Sequence, residues 1–348
     1  MSLLHEPVAA VCADSGTALR SLPILILNVH SHCNCRCVMC DIWKRTNHEQ
    51  IDAADLDRHR EPLKKLGVRH VVLSGGEPLL HTELTTICRF FRELDIKLTL
   101  LTTGLLLVKR ATEVAENFDD VIVSIDGPAE VHDAVRRVAG AFALIRKGIE
   151  AVRALRPGLR ITCRTTVQKA NHNRLCCTAR ATRQAGFDAI SFLAADLTSE
   201  AFNRSLVWPG ERQNKIALTP NEISVLETEI DALLRLNEEF DTSFVTESRG
   251  KLERIVRHFR AHLGLASPQA PICNAPWVSA VIETDGSLRP CFFHRPVGNV
   301  RASSLDEVVN GEEARLFRQT LEVERNPICQ RCVCSLNHPQ GPHRTPAG

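Results

Sequence analysis

Three cysteines within one short segment have the spacing of an iron–sulfur loop. Cys33, Cys37 and Cys40 form a C-x3-C-x2-C pattern that directly follows the apolar stretch from Leu22 to Leu27. Three thiolates can hold three irons of a cubane [4Fe–4S] cluster, and four cysteines are the usual complement. The fourth iron would therefore keep an open coordination position, which is where a metal centre can do chemistry on a bound molecule. The residues alone leave a structural zinc loop or a redox pair as alternatives.

A second motif follows the next apolar run. The segment Val68–Leu73 ends in Gly75-Gly76-Glu77-Pro78. The cysteine segment, with apolar Met39 before its last cysteine, resembles the signature of radical S-adenosylmethionine (radical SAM) enzymes, and Gly75–Pro78 resembles their GGEP motif. In that family the amino and carboxylate groups of SAM chelate the open iron, and the GGEP edge contacts the methionine amino group. By itself, G-G-E-P would be an ordinary turn. The resemblance leaves Cys35 outside the motif, as a spare thiol.

The same resemblance implies further contacts with SAM. Thr103 occupies the position of an asparagine in the family's T-N-G segment, and Ser124 and Asp126 match a segment that meets the ribose. Arg164 lies where related enzymes bind the SAM carboxylate. The alternatives are a local cap for Asp126 and an ion pair inside the barrel for Arg164. The predicted SAM-binding residues are Met39, Gly75, Gly76, Glu77, Pro78, Thr103, Ser124, Asp126 and Arg164. His132 and Arg136 follow the fourth predicted strand and are predicted to lie on a solvated helix face, with a position facing the substrate as the alternative.

Predicted strands precede all of these motifs. Short apolar runs alternate six times with amphipathic segments, and the predicted strands are Leu22–Val29, Val68–Leu73, Lys97–Leu101, Asp120–Ile125, Arg160–Val167 and Ala189–Leu193. Alternation of this kind is typical of βα units around a parallel sheet. The sequence therefore predicts an α/β fold, a partial (β/α)6 TIM-like barrel. The motifs then converge at one rim, because the carboxyl ends of parallel strands lie together.

A second cysteine set lies near the C-terminus. Cys273 and Cys291 flank a predicted hairpin around Asp285-Gly286, and Cys329 and Cys332 follow a helical stretch. Four thiolates suit a complete cluster or a zinc site. The unit resembles the twitch domain, the shortened form of the SPASM extension, which implies one auxiliary [4Fe–4S] cluster in a small C-terminal α+β domain. Cys334 is an extra thiol, which could replace Cys332 as a ligand, donate hydrogen to a substrate radical, or be an inert buried thiol.

Composition narrows the class of protein. The 348 residues carry 43 Lys and Arg against 41 Asp and Glu, so no strong field for nucleic acid or a membrane surface is expected. No apolar run is long enough to span a bilayer, and no signal-peptide pattern is seen. Fourteen cysteines without an export signal predict metal ligands in a cytoplasmic, reducing compartment. The predicted division is an N-terminal arm (1–21), a core (22–195), a loop that covers the rim with a helical connector (196–269), the cluster domain (270–336) and a disordered tail (337–348).

The resemblance implies a function. A radical SAM enzyme cleaves SAM reductively to a 5′-deoxyadenosyl radical, which abstracts hydrogen from a substrate C–H bond, and it takes electrons from a partner such as flavodoxin or ferredoxin. The expected substrate is a small molecule that is oxidised or epimerised. The alternatives are modification of a peptide or protein side chain, and a non-catalytic iron–sulfur or zinc protein that carries electrons or scaffolds a complex.

Overall fold

Parallel strands alternate with helices through the first two thirds of the chain. The computed structural model describes residues 18–204, 206–240, 243–339 and 341. The strands are β1 (Ile24–His30), β2 (His70–Gly75), β3 (Lys97–Thr102), β4 (Asp120–Ser124), β5 (Arg160–Val167), β6 (Ala189–Ala194), β7 (Ser279–Ile282), β8 (Ser287–Arg289) and β9 (Gly298–Asn299). They form one sheet in the order β6-β5-β4-β3-β2-β1-β7-β8-β9, and β1 to β6 pair in parallel. The sheet stays open, which confirms the predicted partial barrel.

The central strands are apolar because both of their faces are covered. In β1 and β2 most residues are buried, as expected for parallel strands flanked by helices. The helices are α1 (Ala53–Asp57), α2 (Arg60–Lys65), α3 (Leu84–Arg92), α4 (Ala111–Asn117), α5 (Ala129–Arg136), α6 (Ala141–Leu155), α7 (Leu175–Gln184), α8 (Gly210–Asn214), α9 (Pro220–Glu239), α10 (Arg249–His262), α11 (Ala275–Val278), α12 (Leu305–Val309), α13 (Glu312–Thr320) and α14 (Pro327–Gln330). Between α1 and α2 the helix is interrupted, because Pro62 has no N–H to donate to the carbonyl of residue 58.

The C-terminal hairpin extends the main sheet. Strands β7 and β8 are antiparallel, with Val281 opposite Arg289, which confirms the hairpin predicted around Asp285-Gly286. Strand β7 also pairs in parallel with β1, where Ile24 lies opposite Ser279. The hairpin that Cys273 and Cys291 flank is therefore joined to β1, the strand that leads into the first cysteine loop. The domain boundaries given above stay a prediction.

The ends of the chain are only partly described. Residues 1–17, 340 and 342–348 lie outside the described residues, so most of the predicted arm and tail cannot be compared with the structure. Within the described part of the tail, the backbone of His338 exchanges two hydrogen bonds with the Asn274 side chain. No helix in the described ranges has the length and hydrophobicity needed to cross a membrane.

Candidate functional site

The first cysteine loop leaves β1 at the carboxyl edge of the sheet and is held against the end of α5. The backbone N–H of Arg36 donates to the carbonyl of Arg136 at 3.1 Å, and that of Val38 donates to the carbonyl of Val135 at 3.1 Å. In this loop Cys37 is buried, whereas Cys33 and Cys40 are half-buried. The loop conformation is thus fixed by α5, an element that the sequence does not link to it.

A buried ion pair contacts one of the predicted cluster ligands. Nη1 of Arg136 lies 3.4 Å from Cys37 Sγ, and Nε of the same guanidinium lies 2.7 Å from Asp126 Oδ2. His132 accepts the backbone N–H of Asp126 on Nδ1 at 3.1 Å. The prediction of a solvated helix face for His132 and Arg136 was wrong, because these side chains are 1% and 8% exposed. The ion pair compensates the charge that burial would otherwise penalise.

The donor chemistry of the loop fits an iron–sulfur cluster. A hydrogen bond from Cys35, together with the charge and hydrogen bond of Arg136, lowers the pKa of the Cys37 thiol to about 6 against the effect of burial. A thiolate is the form that binds iron. Hydrogen bonds to Cys33 and Cys37, with burial, raise the pKa of Cys35, which fits the spare thiol that was predicted. Burial raises the pKa of Cys40 to about 12, so its deprotonation requires the charge of a metal.

A single metal ion fits the cysteine sets less well than a cluster. Among the described residues, no three His, Cys, Asp or Glu side chains converge as ligands of one ion. Zinc in a structural site is bound by four ligands that point at one centre. The ligands of a cubane instead stand at separate corners, so the thiols need not converge.

The two glycines of the GGEP segment allow a close approach to the chain's own backbone. A Cβ on Gly75, whose φ is +123°, would lie 2.5 Å from the carbonyl oxygen of His30, and a Cβ on Gly76 would lie 2.1 Å from that of His32. The N–H groups of Gly76 and Glu77 donate to these same carbonyls at 2.8 and 2.9 Å. The glycines therefore allow this segment to dock onto the end of β1 and the start of the cysteine loop.

Glu77 joins three of the predicted site segments. Its carboxylate is fully buried and accepts hydrogen bonds from the backbone N–H groups of Leu79 and Thr103 at 3.0 and 2.6 Å, and from Thr102 Oγ1 at 2.8 Å. The Thr103 hydroxyl in turn contacts Asn34 of the cysteine loop at 2.9 Å. Burial raises the pKa of Glu77, and these donors oppose the rise. The carboxylate thus links the GGEP segment to the end of β3, and Thr103 extends the link to the loop after β1.

The other predicted SAM-binding residues lie at the same edge in different surroundings. Asp126 is fully buried, its Oδ1 accepts the N–H of Thr166 at 3.0 Å, and its Oδ2 faces Arg136, so the contacts support a role in positioning that guanidinium. Ser124 is half-buried and pairs with Arg164 across β4 and β5. Nε of Arg164 donates to Ser191 Oγ at 3.3 Å, so the alternative of a carboxylate partner inside the barrel is not seen among the described residues.

A segment after β6 contacts the cysteine loop through several side chains. Trp208 Nε1 donates to Asp41 Oδ2 at 2.7 Å, and Arg212 donates to Asp41 Oδ1 at 2.5 Å. The guanidinium groups of Arg204 and Arg212 lie 3.7 and 4.0 Å from the Trp208 ring centroid. Arg204 also donates to the carbonyl of Met39 at 3.3 Å. Asp41 directly follows Cys40, so these contacts fix the end of the cysteine motif.

Pro78, the last residue of the GGEP segment, is buried.

The second cysteine set lies beside α10. The Cys332 thiol has a raised pKa because of burial and of the nearby Cys334, Cys291 and Cys273 thiols, so these four groups are neighbours. Cys329 Sγ lies 3.4 Å from Nε2 of His294. The assignment of Cys273, Cys291, Cys329 and Cys332 as ligands stays a prediction, and Cys334 stands close enough to compete for a place in the set.

Two features of this second set were not foreseen from the sequence. The Cys334 residue is exposed, yet burial of its thiol raises its pKa, so the three roles given for it above stay predictions. Arg254 of α10 donates to the carbonyls of Cys332 and Val333 at 3.4 and 3.3 Å, which fixes the C-x2-C turn. No sequence motif surrounds Arg254, so the sequence does not predict this contact; the helical spacing of α10 indicates only which residues share a face with it.

Sequence families match both units of the chain. The family described as the Radical SAM superfamily matches residues 27–168, and the one described as an iron–sulfur cluster-binding domain, SPASM, matches residues 273–333. The chain is 32% identical over 157 residues to the pre-heme d1 synthase of Dinoroseobacter shibae, covering 44% of this chain and 38% of that protein. It is 32% identical over 156 residues to a probable GTP 3′,8-cyclase of Methanococcus maripaludis, covering 44% and 50%. The chain thus spans half or less of the length of these relatives.

Solved structures show the same fold. The structure of Streptococcus suis SuiB bound to the precursor peptide SuiA matches with a TM-score of 0.62 at 16% identity, covering 92% of this chain and 72% of that one. The structure of anSMEcpe with bound AdoMet and the Cp18Cys peptide matches with a TM-score of 0.64 at 19% identity, covering 89% and 88%. These matches confirm the fold class.

Proposed function

Since this chain is a radical SAM protein with a C-terminal SPASM-type domain, we propose that it abstracts hydrogen from a C–H bond of an organic substrate after reductive cleavage of SAM. The first domain implies a [4Fe–4S] cluster and SAM, and the second implies auxiliary iron–sulfur clusters. Cys33, Cys37 and Cys40 would hold the first cluster. When bound, the cluster and SAM supply the electron and the 5′-deoxyadenosyl radical, which is chemistry that no side chain provides.

The observation that carries the proposal is the link through Glu77. Its buried carboxylate holds the GGEP segment against the end of β3, while Thr103 reaches Asn34 in the cysteine loop. The segments that resemble the cluster-binding and SAM-binding motifs are therefore one rigid unit at the carboxyl edge of the sheet. A protein that only carries electrons needs no such second segment beside its cluster loop.

The side chains of the site have roles that follow from their contacts. Arg136 donates to Cys37 Sγ and is itself oriented by Asp126. The clamp of Trp208 onto Asp41 covers one side of the cysteine loop and would keep water from it. Gly75, Gly76, Thr103, Ser124 and Arg164 would face SAM, as would the backbone around Met39 and Pro78. Glu77 would hold the end of β3 in place, and Asp126 would orient Arg136.

The substrate that we favour is a small molecule that is oxidised or epimerised. A cavity of about 470 Å³ has Arg164 and the thiols of the second cysteine set, Cys332 and Cys334, in its lining. Its size is in the range of small-molecule sites. A substrate there would lie between the predicted SAM position and the auxiliary cysteines. The auxiliary cluster held by Cys273, Cys291, Cys329 and Cys332 would accept an electron in an oxidation or bind the substrate directly.

Modification of a peptide is the second candidate. The structures of SuiB and anSMEcpe, which hold peptides, match about nine tenths of this chain. This likeness concerns the fold, so it supports the candidate without deciding between the two. Curated relatives add other substrate classes, since they include synthases of heme and a probable GTP cyclase.

The test is the production of 5′-deoxyadenosine from SAM. The protein would be purified and reconstituted without oxygen, reduced with flavodoxin or dithionite, and compared with a Cys33→Ala/Cys37→Ala/Cys40→Ala variant. Cys177→Ala is the matched control, because Cys177 is exposed and lies on α7. We expect deoxyadenosine from the wild type and the control, and none from the triple variant. A fully loaded wild type that makes no deoxyadenosine would refute the catalytic proposal and leave a cluster-binding scaffold.

A further inference from the structure

The cavity beside the second cysteine set is lined by several positive charges. Its cationic lining residues are Arg164, Lys251, Arg254, Arg257 and Arg331, and the only carboxylate among the lining residues is that of Glu247. Among the described residues, none of these five cations lies within ion-pair distance of a carboxylate, although the charges of Arg164 and Lys251 oppose the rise that burial causes in the pKa of Glu247. A cleft lined by charges of one sign focuses the field and attracts ligands of the opposite sign.

The excess of positive charge belongs to this cavity and is not a general property of the region. A neighbouring cavity along α10 shares Arg254 and Arg257 with it and adds Arg249 and Arg260, but it also has the carboxylates of Glu227, Asp231, Glu253 and Glu324. Two of its arginines are paired, Arg249 with Asp231 at 2.8 Å and Arg260 with Glu227 at 2.8 Å. The charges that line the neighbouring cavity are therefore balanced in number, whereas those that line the first cavity are not.

The spacing of α10 and the packing of Arg254 explain how the lining is built. Lys251, Arg254 and His258 are three and four residues apart, which places them on one face of the helix. Arg254 is anchored on the carbonyls of Cys332 and Val333, so its charge is fixed at the wall. Burial lowers the pKa of His258 to about 4, so this histidine is neutral near pH 7 and the charge comes from the lysine and the arginines.

We propose that this cavity binds an anionic group of the substrate, a carboxylate or a phosphate, and that Lys251 and Arg257 are residues that determine this specificity. Guanidinium groups bind both anions through paired hydrogen bonds, and the lysine adds a mobile charge. The substrate class is therefore a small organic acid or phosphate ester, whose anionic group would lie near Lys251 and Arg257, while Arg164 is left to SAM. The inference rests on the proposed function, because it places the substrate in this cavity.

Binding of two small anions to the reconstituted protein tests the inference. Citrate and pyrophosphate serve as probes for carboxylates and phosphates, and glucose serves as the neutral probe, in calorimetric titrations at constant ionic strength. The test variant is Lys251→Gln/Arg257→Gln, whose side chains are exposed. The control is Arg249→Gln/Arg260→Gln, which removes the same charge from two residues of the same helix that line only the neighbouring cavity.

We expect saturable binding of at least one anion, no binding of glucose, a loss of tenfold or more in affinity in the test variant, and a change below twofold in the control. The anion that binds more tightly identifies the class. The inference is overturned if neither anion binds, or if the control loses as much affinity as the test variant while both retain the wild-type iron content. Because binding needs no turnover, a protein that binds an anion here but makes no deoxyadenosine refutes the proposed function and keeps the site.

Discussion

Replacement of Arg136 by Gln tests the contact between the buried ion pair and Cys37. The change removes a guanidinium that lies 3.4 Å from Cys37 Sγ and leaves Asp126 buried without its partner. A hydrogen bond to an ionised group contributes about 1.5–3 kcal/mol. For a one-electron couple, about 1.4 kcal/mol corresponds to ~59 mV. The midpoint potential of the first cluster should therefore become more negative by roughly 60–130 mV, because the positive charge stabilises the reduced, more negative state.

The same substitution should also destabilise the fold. Loss of one partner of a buried ion pair costs about 3–5 kcal/mol, since the remaining charge is left uncompensated. The variant Arg136→Gln/Asp126→Asn separates the two effects, because it restores neutrality without restoring the guanidinium. We expect the double variant to recover much of the free energy of unfolding while its potential stays more negative than that of the wild type.

The assay is an anaerobic redox titration followed by EPR, on the signal that changes when SAM is added, together with urea denaturation. Arg137→Gln is the control, because Arg137 is the next residue and is exposed. An unchanged potential in Arg136→Gln, at equal iron content, would refute the argument that this guanidinium acts on the cluster.

Three other predictions concern the scaffold of the site. Trp208→Phe removes the donor to Asp41 at 2.7 Å and should lower the free energy of unfolding by about 1.5–3 kcal/mol in urea denaturation; no change would show that the clamp does not stabilise the loop. Gly76→Ala places a Cβ 2.1 Å from a carbonyl oxygen of the cysteine loop and should prevent folding or cluster loading, whereas Gly158→Ala, with nothing within 4 Å, should be tolerated. Burial, with a smaller effect of a nearby arginine, lowers the pKa of His132 to about 3. The unfolded chain then binds the proton first, so stability should fall as the pH drops from about 6.5 towards 3, by up to about 1.4 kcal/mol per pH unit, and His132→Gln should flatten that slope.

The alternation of strands and helices was predictable because each element carries its own local pattern. The apolar runs of β1 to β6 need no partner in order to be recognised, and C-x3-C-x2-C with G-G-E-P are short motifs with fixed chemistry. Within the candidate site, the cysteine loop, the GGEP segment and the end of β3 were thus expected at one rim, and the structure links them through Glu77.

Contacts between distant segments could not be predicted in the same way. Arg136 and Cys37 are 99 residues apart in the sequence. Because α5 has the polar composition of a solvated helix, only the folded chain shows that Arg136 is buried and paired with Asp126. Trp208 and Asp41 are 167 residues apart. The pairing of β7 with β1 could not be predicted either, because the sequence of a short apolar strand does not specify which strand it pairs with.

The content of iron and acid-labile sulfide per chain tests the central claim most directly. If the first cysteine loop holds one [4Fe–4S] cluster and the C-terminal set holds another, the reconstituted protein should contain about eight irons and about eight sulfides. The Cys33→Ala/Cys37→Ala/Cys40→Ala variant should retain about four of each, with the C-terminal cluster intact. Zinc in place of iron, or a triple variant with the same iron content as the wild type, would contradict the account.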